Sequence, residues 1–299
     1  MPWGKIIKAL SGYYYVLPEE IPYAEEKLIQ CRARGLFRKQ GKSPLVGDWV
    51  RFESKGEKEG WIEEISERKN VLIRPPVANM DIVVLLFSLK EPELNLLLLD
   101  RFLAHIEHRR VPILIGFTKI DLVEEHSWKS VGETYEKIGY PIVATSARTG
   151  RGVDEIRLHL QGKTAVFAGQ SGVGKSSLLN SLLPKALRET GEISRKLGRG
   201  RHTTRHVELL SIGQGSFVAD TPGFGQLDFL EMDPVELTLC FPEIRSRAGE
   251  CRFRECLHHK EPGCAVREAV TEGEIQTERY EHYLIFLSEI KKAMERRYR

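Results

Sequence analysis

Apolar and polar positions follow two rhythms along the chain, and the change comes near residue 72. Before it, short apolar runs at 5–10, 13–17, 28–33, 48–53 and 61–65 are separated by Gly12, Gly35, Gly47, Gly56 and Gly60, with no long helical period. Five short strands in so short a stretch predict a small closed barrel of the oligonucleotide-binding (OB) kind, although periodicity alone also allows another small β domain. After Arg74-Pro75-Pro76, a stiff linker by composition, strands at 82–89, 112–117, 141–144 and 164–168 alternate with helices at 94–109, 130–138 and 153–160. A glycine-rich turn then leads into a helix at 175–183, followed by strands at 206–211 and 216–219. This alternation predicts a mostly parallel sheet with helices on both faces. From about Met232 the pattern is helical again: Asp233-Pro234 supplies an N-cap and a first-turn proline for a short helix ending near Phe241-Pro242. A cysteine-rich loop follows, and 277–297 then places Tyr280, Tyr283, Leu284, Leu287, Ile290 and Met294 on one helical face. The expected organisation is multidomain: a β-barrel over 1–72, an α/β domain over 77–231 and a mainly α domain over 232–299.

A chain of 299 residues is long enough for two or three such domains with substantial cores. No run approaches the ~18 apolar residues of a membrane-spanning helix, and the start shows no signal-peptide pattern, so the expectation is a cytoplasmic chain with no membrane partner. The net charge of +3 is mild, but Arg195, Lys196, Arg199, Arg201 and Arg205 fall in one stretch without an acid. Of the five cysteines, Cys31 and Cys240 stand alone while Cys251, Cys256 and Cys264 crowd together. In a reducing compartment that clustering points to metal before disulfide.

The glycine-rich turn reads GQSGVGKS, followed by a second serine: Gly169, Gln170, Ser171, Gly172, Val173, Gly174, Lys175, Ser176 and Ser177. It follows an apolar strand and opens a helix, the context in which backbone N–H groups cradle phosphates. Lys175 would neutralise the β- and γ-phosphates and Ser176 would offer a hydroxyl to Mg²⁺. Ahead of this turn lies TKID, with Thr118, Lys119 and Asp121, and then TSA, with Ser146 and Ala147. A carboxylate at Asp121 can accept from guanine N1–H and N2–H₂, a donor pair adenine lacks, which disfavours an ATP-using enzyme. Lys119 would lie along the base and the Ser146-Ala147 backbone would donate to O6. Thr118 replaces a commoner asparagine that ties this loop to the phosphate loop; a hydroxyl can make only part of that tie, which predicts modest guanine affinity.

Behind the phosphate turn comes DTPG, with Asp220 aimed at the metal through water and the Gly223 N–H at the γ-phosphate. Thr203 or Thr204 is the expected switch threonine, binding Mg²⁺ in the GTP state. A glutamine after DTPG often orients the attacking water, but Phe224 stands there, so intrinsic hydrolysis should be slow. His202 is the candidate for positioning that water, with a phosphate- or RNA-contacting surface histidine as the alternative. The guanine-reading elements precede the phosphate loop, so the motif order is circularly permuted.

Cys251, Cys256, His258 and Cys264 supply three thiolates and an imidazole within fourteen positions, enough for a closed tetrahedral Zn²⁺ site with a structural role. His259 is an alternative to His258.

Together, VGDWV at 46–50, TKID, TSA, GQSGVGKSSLLN, GRGRHTT, DTPGF and CRFRECLHHKEPGCAV resemble the RsgA/YjeQ family of circularly permuted GTPases across nearly the whole chain. The resemblance implies an OB barrel, a permuted P-loop GTPase domain and a zinc-binding helical domain. It also implies late maturation of the small (30S) ribosomal subunit, subunit-stimulated hydrolysis of GTP to GDP and contacts to 16S rRNA. The acid-free basic stretch, the basic end of the last helix, and Tyr13, Tyr14, Tyr15 and Trp49 as stacking platforms agree with an RNA partner. An RNA-binding assembly adaptor with structural GTP is the alternative, and a monomer is the default oligomeric state.

Overall fold

The computed structural model describes residues 1–35, 37, 41–56, 58–72, 76–184, 208–220 and 232–297. The first five strands are β1 (Trp3–Leu10), β2 (Tyr13–Pro18), β3 (Ile29–Ala33), β4 (Trp49–Lys55) and β5 (Glu59–Ile65). Their order is β1-β2-β3-β5-β4, and β4 returns to pair with β1, so the sheet closes on itself. The pairs are antiparallel except β3 with β5. Closure follows from alternation: Ile6, Val16, Val50, Phe52 and Ile62 point inward and are fully buried. The VGD turn seals one end. Gly47 has φ +90°, and a side chain there would put its Cβ 2.1 Å from the Ala78 carbonyl oxygen. Asp48, fully buried, accepts from the Leu45 N–H at 2.7 Å and from Arg68 Nε and Nη2, both at 2.8 Å.

Where the sequence pattern reads a linker, β6 (Val71–Leu72) pairs antiparallel with β7 (Val77–Ala78); Arg74 and Pro75 lie outside the described residues. The central sheet contains β8 (Ile82–Ser88), β9 (Ile113–Thr118), β10 (Ile142–Ala144), β11 (Thr164–Ala168), β12 (Glu208–Gly213) and β13 (Ser216–Asp220) in the order β10-β9-β8-β11-β13-β12. All pairs are parallel except the terminal β12–β13 hairpin. Every residue of β8, β9 and β11 is buried, so these strands read as unbroken apolar runs. Covering them are α1 (Leu96–His108), α2 (Glu125–Ile138), α3 (Val153–His159) and α4 (Lys175–Leu182). Asn95 caps α1 by accepting from the Leu98 N–H at 2.8 Å. The second helix starts ahead of the expected residue 130, and Trp128 in that added turn packs partly buried against the core in line with Val131 and Tyr135.

The C-terminal region holds α5 (Pro234–Leu239), α6 (Pro242–Ala248), α7 (Ala265–Thr271) and α8 (Thr277–Arg297). Asp233 caps α5 ahead of Pro234, as the Asp-Pro signal predicts, and Glu236 completes a capping box with it. Two helices differ from the expectation: α6 begins on the proline expected to end α5, with Pro242 in its first turn, and α7 starts directly after Cys264. On α8 the buried face is Arg279, His282, Tyr283, Phe286, Leu287 and Ile290. The expected stripe is correct at Tyr283, Leu287 and Ile290, whereas Tyr280, Leu284 and Met294 are only partly buried. Charged residues take part of the inner face because they meet a charged partner there.

The barrel and the central sheet share one hydrogen-bonded edge, where Lys8 of β1 lies opposite Glu208 of β12. Beside it, Lys5 Nζ donates to Thr164 Oγ1 at 2.8 Å and lies 5.2 Å from the Trp49 ring and 5.8 Å from the Phe217 ring. Trp49, offered by the sequence as a stacking platform, thus packs at this junction.

Candidate active site and metal centre

Parallel strands deliver their turns to one edge, and here the register brings the sequence motifs together. Ser88 pairs with Thr118, Phe117 with Ala144, and Leu85 with Ala168, so the turns after β8, β9, β10 and β11 rise side by side. The chain runs outward from β8 to β10 and then returns to the other side of β8 with β11. The crevice at that switch point, outside the carboxyl ends of the strands, is where ligands bind in open α/β sheets.

Gly169 leaves β11 with φ +128°, and a Cβ there would lie 2.1 Å from the Leu86 carbonyl oxygen, so the turn approaches β8 more closely than any side chain permits. Val173 is buried under the turn, while Ser171 and Gly172 are exposed and Gln170 partly so. Gly174 opens α4 with φ 98° and without a side-chain cap, leaving the first N–H groups of the helix to an anion. Lys175 Nζ donates to the carbonyl oxygens of Gly169 and Gln170, both at 2.7 Å, and burial lowers its pKa from the usual lysine value. Ser176 and Ser177 are exposed in the same first turn, and either hydroxyl offers the oxygen donor that a hard cation such as Mg²⁺ takes.

Thr118 is buried and its hydroxyl lies 2.6 Å from the Val173 carbonyl oxygen and 3.3 Å from that of Phe87. The one proton serves the shorter contact, so threonine does tie the TKID turn to the phosphate turn. Lys119 takes a left-handed φ of 56° and its Nζ donates to the Glu91 carbonyl oxygen. Asp121 Oδ1 accepts from the buried Ser146 hydroxyl at 2.6 Å, and Oδ2 lies 3.1 Å from Arg148 Nε. The Ser146 bond is the main reason that the Asp121 carboxyl is held below the usual carboxylate range, with Arg148 and Lys119 adding to it. Ser146 is itself fixed by the Thr149 N–H at 3.2 Å, and Ala147 is half-buried beside it.

Asp220 ends β13 in register with β11, since Ala219 pairs with Val166, so its backbone arrives beside the phosphate turn. Its side chain, together with His202, Thr203, Thr204, Gly223 and Phe224, lies outside the described residues. Two contributors carry no motif. Arg148 faces Asp121 across the turn after β10, and the turn after β8 brings Glu91 to Lys119 and Pro92 toward Gly172. Only their place at the switch point could have marked them in the sequence.

The second cluster lies among the C-terminal helices. The ligating atoms of Cys251, Cys256, His258 and Cys264 all fall within 4.8 Å of one another. Cys251 Sγ is 3.9 Å from Cys264 Sγ, and His258 Nδ1 is 3.5 Å from Cys251 Sγ and 3.4 Å from Cys264 Sγ. A tetrahedral zinc with ordinary bond lengths requires S–S edges of about 3.8 Å and S–N edges of about 3.6 Å, which Cys251, His258 and Cys264 match, while Cys256 lies within 4.8 Å of them. Burial raises the Cys256 thiol above the ordinary cysteine value, and a bound cation would favour its thiolate. His259, the alternative ligand, is exposed and lends only its N–H to Glu261 Oε2 at 2.8 Å. Glu261 also accepts from the N–H groups of Leu257 and Lys260, while Tyr280 and Tyr283 of α8 donate to the carbonyls of His258 and Leu257. The ligand loop is therefore braced against the last helix.

No described helix is long and apolar enough to cross a membrane. The profile of the RsgA GTPase family matches residues 65–230, and that of the RsgA N-terminal domain matches residues 3–62. The Small ribosomal subunit biogenesis GTPase RsgA of Shouchella clausii is 52% identical over 301 residues, covering 100% of each chain. The protein of the same name from Bacillus subtilis is 51% identical over 295 residues, covering 97% of this chain and 98% of its own. Among solved structures, YloQ, described as a circularly permuted GTPase, aligns with a TM-score of 0.84 at 45% identity, covering 98% of this chain and 96% of its own. YjeQ from Thermotoga maritima aligns with a TM-score of 0.84 at 37% identity, covering 97% and 98%. With TKID, TSA and the glycine-rich turn brought to one sheet edge behind an N-terminal barrel, the chain belongs to the RsgA family of GTPases.

Proposed function

We propose that the chain is a GTPase of small (30S) ribosomal subunit biogenesis, which hydrolyses GTP to GDP and phosphate in late maturation with turnover stimulated by the subunit. The observation that carries the nucleotide reading is the Thr118–Val173 bond at 2.6 Å, which sets a base-reading carboxylate and a phosphate turn at a fixed separation. In this reading Asp121 accepts from the guanine N1–H and N2–H₂ groups, Lys119 lies along the base, and the Ser146-Ala147 backbone donates to O6. The N–H groups of Gly169 to Ser177 hold the phosphates, with Lys175 neutralising the β- and γ-oxygens. Mg²⁺, held by Ser176 and Thr204 (or Thr203) with Asp220 acting through water, would supply charge neutralisation at the β- and γ-phosphates. Gly223 would donate to the γ-phosphate, and His202 would position the attacking water that Phe224 cannot hold.

Zinc on Cys251, Cys256, His258 and Cys264 has a structural role, folding a loop too polar to fold alone. The partners are GTP and GDP, the 30S subunit and its 16S rRNA, in the cytoplasm and with a monomeric chain. Single-turnover hydrolysis with and without small subunits tests the reading, and stimulation is the expected outcome. Phe224 favours one other reading, an RNA-binding assembly adaptor with structural GTP; the absence of stimulation would select it. The His202→Ala variant is expected to bind GTP normally and lose the stimulated rate, and an unchanged stimulated rate removes His202 from the mechanism.

A further inference from the structure

The most heavily buried group of charges in the described chain lies away from both sites, where the C-terminal helices meet α1 and α2. Asp100 of α1 is fully buried and Arg279 of α8 is 3% exposed. Asp100 Oδ1 accepts from Arg279 Nη1 and, at 2.9 Å, from the Tyr135 hydroxyl of α2; Oδ2 lies 2.6 Å from His282 Nδ1. The other edge of the Arg279 guanidinium meets Glu243 of α6, with Nε to Oε1 at 2.6 Å and Nη2 to Oε2 at 3.2 Å. Its faces lie 5.3 Å from the Tyr135 ring and 5.1 Å from the Phe241 ring. One planar fork therefore joins four helices, a task a lysine cannot perform.

The surroundings extend the joint. Ala104 of α1 belongs to the apolar cluster of Leu237, Phe241, Tyr283 and Phe286, and Arg101 forms a bidentate pair with Glu289 at 2.7 Å on both arms. Arg245 meets Glu107 at 3.2 Å. Buried charges are a poor way to gain stability, since an apolar core of equal volume serves as well, and their best-attested use is to specify one arrangement. The arrangement specified here connects the helices around the cysteine–histidine cluster to α1 and α2, which flank β9, the strand that ends in the TKID turn.

We infer that Asp100 and Arg279 are a docking key that locks the zinc-bearing helices onto the guanine-reading half of the central domain in every nucleotide state. The zinc-bearing region then moves with α1 and α2, and loss of the γ-phosphate does not release it. The two-state part of this inference rests on the proposed GTP binding; the docking role does not. Hydrogen exchange on the full chain, with GDP and with a non-hydrolysable GTP analogue, should give equal protection along α1 and α8. Faster exchange at that junction in either state overturns the inference. The Asp100→Asn variant should keep GDP binding and zinc while α8 loses protection by about 100-fold or more, the factor that follows from unpairing a buried charge. Should that variant fail to fold, Arg279→Lys is read instead, with at least about tenfold faster exchange expected, because one ammonium cannot bridge Asp100 and Glu243. Unchanged α8 protection in a folded variant also overturns the inference. A chain that binds no guanine nucleotide refutes the proposed function and leaves the variant comparison to decide the docking key by itself.

Discussion

Thr118 shows how one side chain can carry a link that its residue type does not announce. Its identity departs from the commoner asparagine, and the sequence alone predicts a partial tie; the fold supplies one such bond, with its hydroxyl 2.6 Å from the Val173 carbonyl. Thr118→Val keeps the shape and strands that buried acceptor at a cost of about 1–3 kcal/mol. GDP affinity should fall by roughly 5- to 100-fold, whereas Thr118→Ser should stay near the parent, and equal affinities by calorimetry for both variants would refute the tie. Asp121 allows a pH test. Its folded pKa is depressed, chiefly by the Ser146 hydroxyl, so the ionised carboxylate persists as pH falls and binding is lost only on passing that lowered value. Ser146→Ala raises the value toward the ordinary carboxylate range, so the acid limb of GDP binding should move to higher pH. An acid limb that stays in place would show that Ser146 does not hold the charge. The residue types of this site were legible because each does one job, but Arg148 was not, since an exposed arginine after a serine-alanine pair has no distinguishing pattern.

At the scale of elements, strands were easier to read than helices. Burial on both faces makes β8, β9 and β11 continuous apolar runs, and no other local pattern resembles that in an alternating chain. The last helix misled in part. Arg279 and His282 look like an outer face, yet they turn inward because Asp100 waits there on α1. The segment holding the candidate zinc ligands is braced by Glu261 and by two tyrosines of α8, and it adds only Cys256, Cys264 and, partly buried, Cys251 and Leu257 to the C-terminal core. Elemental analysis should find one zinc per chain. Cys256→Ser should abolish that stoichiometry and lower the melting temperature, while GDP affinity changes little because α1 to α4 build the nucleotide site without the metal. A variant that keeps full zinc content would exclude Cys256 as a ligand.

For the whole molecule, the permuted order decides what each half of the nucleotide site is attached to. The strands that end in the TKID and TSA turns are flanked by α1 and α2, which meet the helices around the cysteine–histidine cluster through Asp100 and Arg279, while the barrel joins the other edge of the sheet through β12. The sequence has five basic residues and no acid from Arg195 to Arg205, the last helix ends in Arg296 and Arg297, and the proposed RNA contacts draw on both. Binding to small subunits should therefore weaken steeply as salt rises, and equal affinity at low and high salt would remove the electrostatic part of the proposal. Sequence by itself determined the motifs, their rotated order, the alternating strand-and-helix pattern and the cysteine cluster, because in each case the chemistry or the pleat demands given residue types at short, fixed spacing; closure of the barrel and the choice of His258 over His259 came with the fold. Only the tertiary structure decided which distant residues complete them. The Thr118–Val173 bond spans 55 positions and the Asp100–Arg279 pair spans 179, and no local period encodes a partner that arrives by folding.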